Sequence, residues 1–359
     1  MEYRNEGHER TLVLVHGIAG ETAWQPLARQ LTVRRELQEW DIHSFEYVAK
    51  WKPRWLRFRL ARSPDLGRVA DAFVTHCRST LNRYSSFAIL AHSAGGLVAM
   101  RALLDSEWLR KRTSHVVLLG TPTGGVPAAR LFGMLSPQYR DLATGSSFLN
   151  ALQDELASAW EEPPFALRVV AAIDDVTVTR DSVFHQFPES VQRVVPGDHV
   201  SMIQPQRPDA DVVGVIVNLL TSRRIFLSYV REDSARVTEI YRALERHEFA
   251  PWIDQRSLTP GELWKASIES ALQESDCFLV FLSAAAIAEL SWEGVFRREV
   301  DTAIQIQEKR GARSRFIVPV RIDELDLPDK LARFQWYDLF SGNAEGLADL
   351  LEKITLNPT

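Results

Sequence analysis

The first part of the chain alternates short apolar runs with longer segments in which apolar residues recur every three or four positions. The short runs are rich in β-branched residues and predict buried strands; they read TLVLVHG, HSFEYV, FAILAHS, HVVLLGT, LRVVAAI and VQRVVPG. The longer segments, such as WQPLARQLTVRREL and DLGRVADAFVTHCRSTL, have the spacing of amphipathic helices. Apolar strands that alternate with helices predict a parallel sheet covered on both faces.

The alternation is interrupted between about residues 123 and 165. This stretch contains Pro, Gly and Ser and then the helical pattern SSFLNALQDELASAW. A long insertion between two strands of a sheet is typical of a cap or lid, and we predict one here. The helical pattern DADVVGVIVNLLTS then closes the first domain, which we predict to cover residues 1–221.

A second round of alternation begins immediately afterwards. RRIFLSY, FAPWID, CFLVFLS and FIVPVRI predict strands, and SARVTEIYRALERH, ELWKASIESALQES and EGVFRREVDTAIQIQEK predict the helices between them. The pattern therefore predicts a smaller, doubly wound α/β domain over residues 222–359, joined to the first by a short junction. A chain of 359 residues is long enough for two cores.

The composition argues against several classes of partner and site, but it does not indicate a function. The net charge of −5 gives no electrostatic reason to expect nucleic acid as a partner. Cys77 and Cys277 are far apart and lack metal-ligand spacing, so we predict no metal site and a reducing, cytoplasmic setting. The polar start lacks the apolar core of a signal peptide, and no apolar run is long enough to span a bilayer.

One serine occupies a cramped position in the stretch FAILAHSAGGLVAMRAL. Ser93 falls between a predicted strand and a predicted helix, where a tight turn requires small residues two positions before and after. Ala91 and Gly95 meet that requirement. The turn would expose the Ser93 hydroxyl and direct the N–H of Ala94, at the helix start, towards an oxyanion.

The other groups that a nucleophilic serine needs follow predicted strands. His199 lies in the loop before the last helix, where a general base is expected, and Asp174 and Asp175 end a strand where the acid is expected. The N–H of Ile18, after the His-Gly turn of the first strand, is the candidate for a second oxyanion donor. The chain order Ser, Asp, His is that of one known triad arrangement.

These strings resemble the α/β-hydrolase superfamily, nearest to its lipase-like serine esterase branch. LVHGIAG, AHSAGG, LLGTPTGG, SSFLNAL and PGDHVSM match that branch in place and order, and Ala91 stands where the family usually has glycine. The branch pattern of the acid fits Asp175, followed by Val178 and Ser182, while Asp174 stays open as an alternative. The resemblance implies a serine hydrolase that acts on an ester or lipid-like acyl substrate.

The second domain resembles the Toll/interleukin-1 receptor (TIR) domain in its bacterial form. IFLSYVRED, FAPWIDQRSLTPGELW and SDCFLVFLS match its first three strands and a long exposed loop, and the likeness covers residue 224 to about 355. Enzymatic members of the family cleave the nicotinamide–ribose bond of NAD⁺, so the resemblance implies NAD⁺ as a substrate and no cofactor. It also implies self-association through TIR domains, to which the exposed loop contributes.

The family's catalytic glutamate matches Glu299 in SWEGVFRREVDTA. Val295 stands where the family has a tryptophan, and Trp292 lies close by. Phe296, Val300 and Ala303 are apolar at helical spacing, which predicts that Glu299 lies at the boundary of a buried helix face. Four further residues match positions that line the family's pocket, its edge or its loop: Tyr229, Arg231, Asp254 and Trp264.

The two resemblances together predict a cytoplasmic protein similar to bacterial immune effectors of the antiviral type. In this interpretation the TIR domain hydrolyses NAD⁺, and the hydrolase domain acts as sensor, regulator or second effector. Two alternatives remain open at this point. The chain could be a serine esterase or lipase whose TIR domain serves only in homotypic assembly, or a scaffold in which both sites are degenerate.

Overall fold

The chain forms two compact units, Met1–Thr221 and Ser222–Thr359, in a computed structural model. The structure describes residues 1–18, 24–47, 64–129, 137–160, 163–247, 249–253, 271–292, 294–311, 314–340 and 344–356. The predicted site residues Asp254 and Trp264 lie outside these ranges, as do parts of the predicted cap and of the helix ELWKASIESALQES. Within the described ranges no helix combines the length and the apolar character needed to cross a bilayer.

The first unit is built on one seven-stranded sheet. Its strands are β1 (Glu2–Arg4), β2 (Arg10–Val15), β3 (Trp40–Phe45), β4 (Ser86–His92), β5 (Thr113–Leu119), β6 (Ala166–Ala172) and β7 (Gln192–Val195). They are arranged in the order β1-β3-β2-β4-β5-β6-β7. β2 to β7 pair in parallel, and β1 pairs antiparallel with β3. The predicted parallel α/β sheet is confirmed, and the carboxyl ends of its strands therefore meet at one edge.

Helices cover this sheet as the periodicity predicts. They are α1 (Gln25–Thr32), α2 (Leu66–Thr80), α3 (Ala94–Asp105), α4 (Glu107–Arg112), α5 (Pro137–Leu142), α6 (Ser147–Ala159), α7 (Arg180–Val183) and α8 (Asp211–Leu220). The strands contribute Val13, Ile89 and Val116 to a core that α2 and α3 complete.

The segment predicted as a cap contains α5 and α6. Helix α6 packs beside α3 and buries Leu149, Leu152 and Leu156 in the core of the unit. An ion pair between Arg101 on α3 and Glu155 on α6, 2.7 Å long, joins the two helices at the surface. The interpretation of residues 123–165 as a cap stays a prediction, because residues 130–136 and 161–162 are outside the described ranges.

Strand β3 begins three residues earlier than HSFEYV predicts, because it includes a buried aspartate. Asp41 is fully buried, and its carboxylate accepts hydrogen bonds from the N–H groups of Glu6 (2.9 Å) and Gly7 (3.2 Å). The Tyr84 hydroxyl donates a third, 2.8 Å long. The bonds from Glu6 and Gly7 attach the segment after β1 to the sheet. Strand β1 itself is short and polar, and the sequence pattern does not predict it.

This buried carboxylate makes the stability of the first unit sensitive to acid. Burial raises the pKa of Asp41, but these three hydrogen bonds and a fourth with the His8 ring, 2.9 Å long, outweigh burial and lower it to about 2. The unfolded value is about 3.9, so the stabilisation is present above that pH and is lost as pH falls through the folded pKa. We expect the melting temperature to fall between pH 5 and pH 2, as such linkage predicts, and to fall less in Asp41→Asn. Equal losses in both proteins, measured by circular dichroism, would contradict this.

The second unit has its own five-stranded sheet. The strands are β8 (Arg224–Ser228), β9 (Ala250–Ile253), β10 (Cys277–Leu282), β11 (Ile317–Arg321) and β12 (Tyr337–Asp338). The helices are α9 (Ser234–Arg246), α10 (Ala284–Leu290), α11 (Val295–Arg310), α12 (Asp329–Ala332) and α13 (Ala344–Leu356). All pairs are parallel and the order is β9-β8-β10-β11-β12. This is the 2-1-3-4-5 order of the flavodoxin-like doubly wound fold, which confirms the predicted fold class.

Apolar residues cover both faces of this second sheet. In β8, Phe226 belongs to the core that includes Phe296 and Val300 of α11, whereas Ile225 and Leu227 belong to the core on the side of α9 and α13. Successive side chains of a strand point to opposite faces. Ser228 is therefore on the Phe226 side, which faces α11, at the carboxyl end of the strand.

Candidate active sites

The first candidate site is built around the turn that joins β4 to α3. Ser93 has φ 55° and ψ −130°, a conformation that is sparsely populated for residues other than glycine. Gly95 permits it, because a Cβ there would lie 2.4 Å from the carbonyl oxygen of Val15 and 2.5 Å from that of His16. The serine thus sits at the carboxyl edge of the sheet, at the first residue before the helix, as the small-residue pattern predicts.

Three predicted side chains meet at this edge. His199 Nε2 lies 2.9 Å from Ser93 Oγ, and His199 Nδ1 lies 2.7 Å from Asp175 Oδ2. The imidazole can therefore take the hydroxyl proton on one nitrogen while the carboxylate holds the proton on the other. The structure brings together Ser93, His199 and Asp175 from three strand ends that are widely separated in the sequence.

Asp175, and not Asp174, contacts the imidazole. Its second oxygen, Oδ1, accepts hydrogen bonds from the N–H groups of Thr177 (2.9 Å) and Val178 (2.8 Å). Burial raises the pKa of the Asp175 carboxyl, but the bonds from His199 and these N–H groups outweigh burial and lower it. Asp174 is exposed, and its own N–H donates to the carbonyl of Gly197. The geometry therefore favours Asp175 as the partner of the base.

The two predicted oxyanion donors lie on either side of the serine. Ala94 is the first residue of α3, and the first N–H groups of a helix have no partner within the helix. Ile18 follows Gly17, whose backbone is in contact with the serine: a Cβ on Gly17 would lie 2.7 Å from Ser93 Cβ and 3.3 Å from Ser93 Oγ. The loop after β2 thus runs directly beside the nucleophile, where an N–H could reach a developing oxyanion.

Substitution of Gly17 tests this close approach. Gly17→Ala would force the added methyl group against Ser93 and displace either the loop of Ile18 or the serine, and a displacement near 1 Å costs about 100-fold in rate. We expect the rate of covalent labelling by a fluorophosphonate to fall about 10- to 100-fold. The control is Gly214→Ala on α8, where a Cβ would meet no atom within 4 Å. Equal labelling rates in the two variants would show that the loop of Ile18 does not contribute to the site.

Two buried histidines flank the triad. The Nδ1 atom of His16 lies 2.7 Å from the carbonyl oxygen of Gly17, and its Nε2 accepts a hydrogen bond from the N–H of Tyr47 at 3.2 Å. His16 is thus a turn residue that bonds the loop. His92 Nε2 lies 2.8 Å from the carbonyl oxygen of His199, a contact that the sequence does not reveal. Burial and the neighbouring His199 lower the pKa of His92 to about 3.

The second candidate site lies in the second unit, at the carboxyl end of β8. Glu299 on α11 is 3% exposed, and the Ser228 hydroxyl donates a hydrogen bond of 2.6 Å to its Oε2. Phe296, Val300 and Ala303 are buried as predicted. Glu299 is itself buried rather than at the boundary of that face, because Ser228 supplies a polar partner inside the unit. The carboxyl edge of an open parallel sheet is where ligands bind in such folds.

The other predicted pocket residues have separate positions. Tyr229 follows Ser228 directly and packs against the core on the opposite face. Arg231 is exposed and begins a short helical turn at the same strand end. Trp292 is 74% exposed before α11, while Val295 begins that helix and packs against its core. Ser228 is the residue that sequence reasoning missed; its signal is a polar side chain at the end of an apolar strand.

No group of three or more metal-ligating side chains is clustered in the described part of the chain.

Comparison with known proteins identifies a family for part of the chain. The TIR domain family model matches residues 225–353. A search of curated proteins found no match. Residues 225–353 coincide with the second sheet, its helices and Glu299, so the second unit is a TIR domain.

Three solved structures illustrate the similarity to known folds. Phospholipase PlaB from Legionella pneumophila is 15% identical, with 59% of this chain and 59% of that chain covered and a TM-score of 0.43. An extracellular α/β-hydrolase from a Paenibacillus species is 18% identical, with 58% and 98% covered and a TM-score of 0.39. The TIR domain of the Toll-related receptor TRR-2 from Hydra magnipapillata is 19% identical, with 36% and 97% covered and a TM-score of 0.29.

The chain thus spans 59% of the length of PlaB in that structure. A second structure, PlaB in complex with thio-NAD, is 18% identical, with 45% of this chain and 37% of that chain covered and a TM-score of 0.35. Two features of the first unit itself identify its fold: the order of the strands in its sheet, and the strained serine between β4 and α3. This protein joins a unit with the α/β-hydrolase fold to a TIR domain.

Proposed function

We propose that the first unit is a serine hydrolase that cleaves acyl esters through Ser93. The observation that supports it is the continuous chain of contacts from Ser93 Oγ to His199 Nε2 (2.9 Å) and from His199 Nδ1 to Asp175 Oδ2 (2.7 Å). A serine used only to start a helix would require neither a strained backbone nor a base in contact with its hydroxyl. The substrate class is an ester or lipid-like acyl compound.

The first half of the reaction is acyl transfer to the serine. Ser93 Oγ attacks the ester carbonyl carbon as His199 Nε2 takes the hydroxyl proton, and the carbonyl oxygen becomes an oxyanion that the N–H groups of Ala94 and Ile18 can stabilise. Asp175 stabilises the imidazolium that forms. The ester C–O bond then breaks, and the leaving alcohol takes the proton from His199.

The second half releases the acid. A water molecule gives a proton to His199 Nε2 and attacks the acyl carbon, and a second oxyanion forms in the same place. The bond to Ser93 Oγ breaks, and the proton returns from His199 to the serine. The hydrogen bonds that lower the pKa of Asp175 keep its carboxylate charged throughout this cycle.

A probe and a substrate series test this activity. The purified full-length protein is treated with a fluorophosphonate, and the labelled peptide is identified by mass spectrometry; we expect the label on Ser93. Hydrolysis of p-nitrophenyl esters with increasing acyl chain length then identifies the preferred substrate. The absence of both labelling and hydrolysis would overturn the proposed hydrolase.

We propose a second activity, the hydrolysis of NAD⁺ at Glu299 of the TIR domain. The specific observation in its favour is a carboxylate that is 3% exposed, held by Ser228 at the carboxyl edge of a doubly wound sheet. The bond between the ribose carbon and the nicotinamide nitrogen breaks, and nicotinamide leaves with the electron pair. Water attacks the ribose carbon and loses a proton, so the products are nicotinamide, ADP-ribose and a proton. NAD⁺ is a substrate in this scheme, not a cofactor.

Glu299 would act on the charge that develops in this reaction. Cleavage of an N-glycosidic bond passes through an oxocarbenium-like transition state, which a nearby carboxylate stabilises. Tyr229 and Arg231 leave the same strand end and would contact the substrate or the edge of its pocket. Asp254 and Trp264 are proposed to complete the pocket and its loop.

Assembly and cellular role are part of the same proposal. The chain would form homo-oligomers through its TIR domains and act in the cytoplasm as an effector of antiviral defence. Nicotinamide release per protein molecule should then rise with protein concentration. The alternative is a serine esterase or lipase whose TIR domain serves only in assembly, and it is favoured if concentrated protein releases no nicotinamide from NAD⁺.

A further inference from the structure

His92 links the nucleophile to the base through the main chain. It directly precedes Ser93, and its Nε2 atom lies 2.8 Å from the backbone carbonyl oxygen of His199. Its ring centre is 4.7 Å from that of His199 and 6.2 Å from that of Trp24, and both His92 and Trp24 are buried. One residue therefore connects the strand end that carries the serine to the loop that carries the base.

The contact determines where the His92 proton is. A carbonyl oxygen can only accept a hydrogen bond, so Nε2 carries the proton and donates it. Nδ1 is then the unprotonated nitrogen, and it has no hydrogen-bond partner among the described residues. The low pKa of His92, about 3, means that the ring is neutral at ordinary pH. A neutral neighbour does not oppose the positive charge that His199 acquires during acyl transfer.

The loop that carries His199 is also held from the end of β6, where the Asp174 N–H donates to the carbonyl oxygen of Gly197, two residues before the base. Asp198 Oδ1 accepts hydrogen bonds from the N–H groups of Val200 (2.9 Å) and Ser201 (2.8 Å), but Asp198 is exposed and these bonds are local to the loop. The bond from His92 differs in that its donor is a buried side chain at the strand end that carries Ser93. It holds the peptide group of the base itself, next to the side chain that has to reach Ser93.

We propose that His92 is a positioning residue for catalysis, whose Nε2–H holds the backbone of His199 so that the imidazole stays in line with Ser93 Oγ. This inference rests on the proposed serine hydrolase activity. The bond acts on the geometry of the base and not on substrate binding. Its loss should therefore lower kcat and the rate of fluorophosphonate labelling, while KM changes little.

Three substitutions of His92 test the bond. Leu fills the buried space without a donor, Gln places an amide N–H near the position of Nε2, and Asn is one methylene too short to reach the carbonyl. We expect kcat and the labelling rate to fall about 10- to 100-fold in His92→Leu and His92→Asn, and to recover mostly in His92→Gln. The control is His115→Leu, another buried histidine, at the amino-terminal end of β5.

The outcomes separate this inference from the proposed function. If wild type is neither labelled nor active, the hydrolase and the role of His92 fail together. If wild type is active and folded His92→Leu has the same kcat, the positioning role alone is overturned. If His92→Leu does not fold, the Gln and Asn variants decide, because both are buried amides: equal activity in the two overturns the inference, and recovery only in Gln supports it. A loss in His115→Leu as large as in His92→Leu also overturns it.

Discussion

Ser93→Ala is expected to abolish covalent labelling by a fluorophosphonate and to lower ester hydrolysis by about 10⁶-fold, the loss seen when the nucleophile of a complete triad is removed. The reason is that the Ser93 hydroxyl lies 2.9 Å from His199 Nε2 and next to the two oxyanion donors. Among the described residues no other hydroxyl occupies this position. Folding should be retained, because the substitution removes one oxygen and leaves the core of the unit intact. Labelling followed by gel fluorescence, with a p-nitrophenyl ester assay on the same samples, measures both effects.

The control for this experiment is Ser79→Ala, a substitution of an exposed serine on α2 that should leave both signals unchanged. Equal labelling of Ser93→Ala and wild type would show that the probe reacts elsewhere, and the triad would then have no catalytic role. Circular dichroism of both variants confirms that they are folded.

Glu299→Gln is expected to lower nicotinamide release from NAD⁺ by about 10²- to 10³-fold, the usual cost of removing one group that stabilises transition-state charge. Gln has nearly the shape of Glu and can still accept a hydrogen bond from Ser228, so a steric or folding defect is a poor explanation of a loss. If charge stabilisation is the mechanism, Glu299→Ala should be no more defective than Glu299→Gln. Nicotinamide is measured by chromatography on concentrated, assembled protein.

Glu308→Gln is the matched control, because Glu308 lies on the same helix, at the surface, in an ion pair of 3.3 Å with Arg333. Ser93→Ala serves as a second comparison and should retain NAD⁺ cleavage, since the two sites belong to different units and are built from different residues. Full activity in Glu299→Gln would assign the catalytic role to another residue of the TIR domain.

The geometry around Ser93 was predictable because each element carries a local signal. Small residues around Ser93 indicate a tight strand-to-helix turn, and polar residues at the ends of apolar strands indicate Asp175 and His199. Since parallel strands end at one edge, the sequence alone brings these residues together. The choice between Asp174 and Asp175 needed the structure, because only the fold shows which carboxylate turns towards the imidazole.

Other features depend on partners that are distant in sequence. The bond from His92 to His199 joins residues 107 positions apart and leaves no local pattern. Asp41 is polar inside a strand, and its burial is understandable only with the N–H groups that approach from the segment after β1. Glu299 is likewise predicted at the boundary of a buried helix face, and its burial is understandable only with the Ser228 hydroxyl that bonds it.

The backbone of Ser93 has a consequence for the stability of the chain. A residue with a side chain at φ 55° and ψ −130° costs about 1–3 kcal/mol, and glycine would adopt the same conformation with far less strain. At this position the more stable chain is therefore the one without a nucleophile. A chain with glycine at this position would be the more stable one and would lack the hydroxyl, so Ser93→Gly should raise the melting temperature while it removes fluorophosphonate labelling.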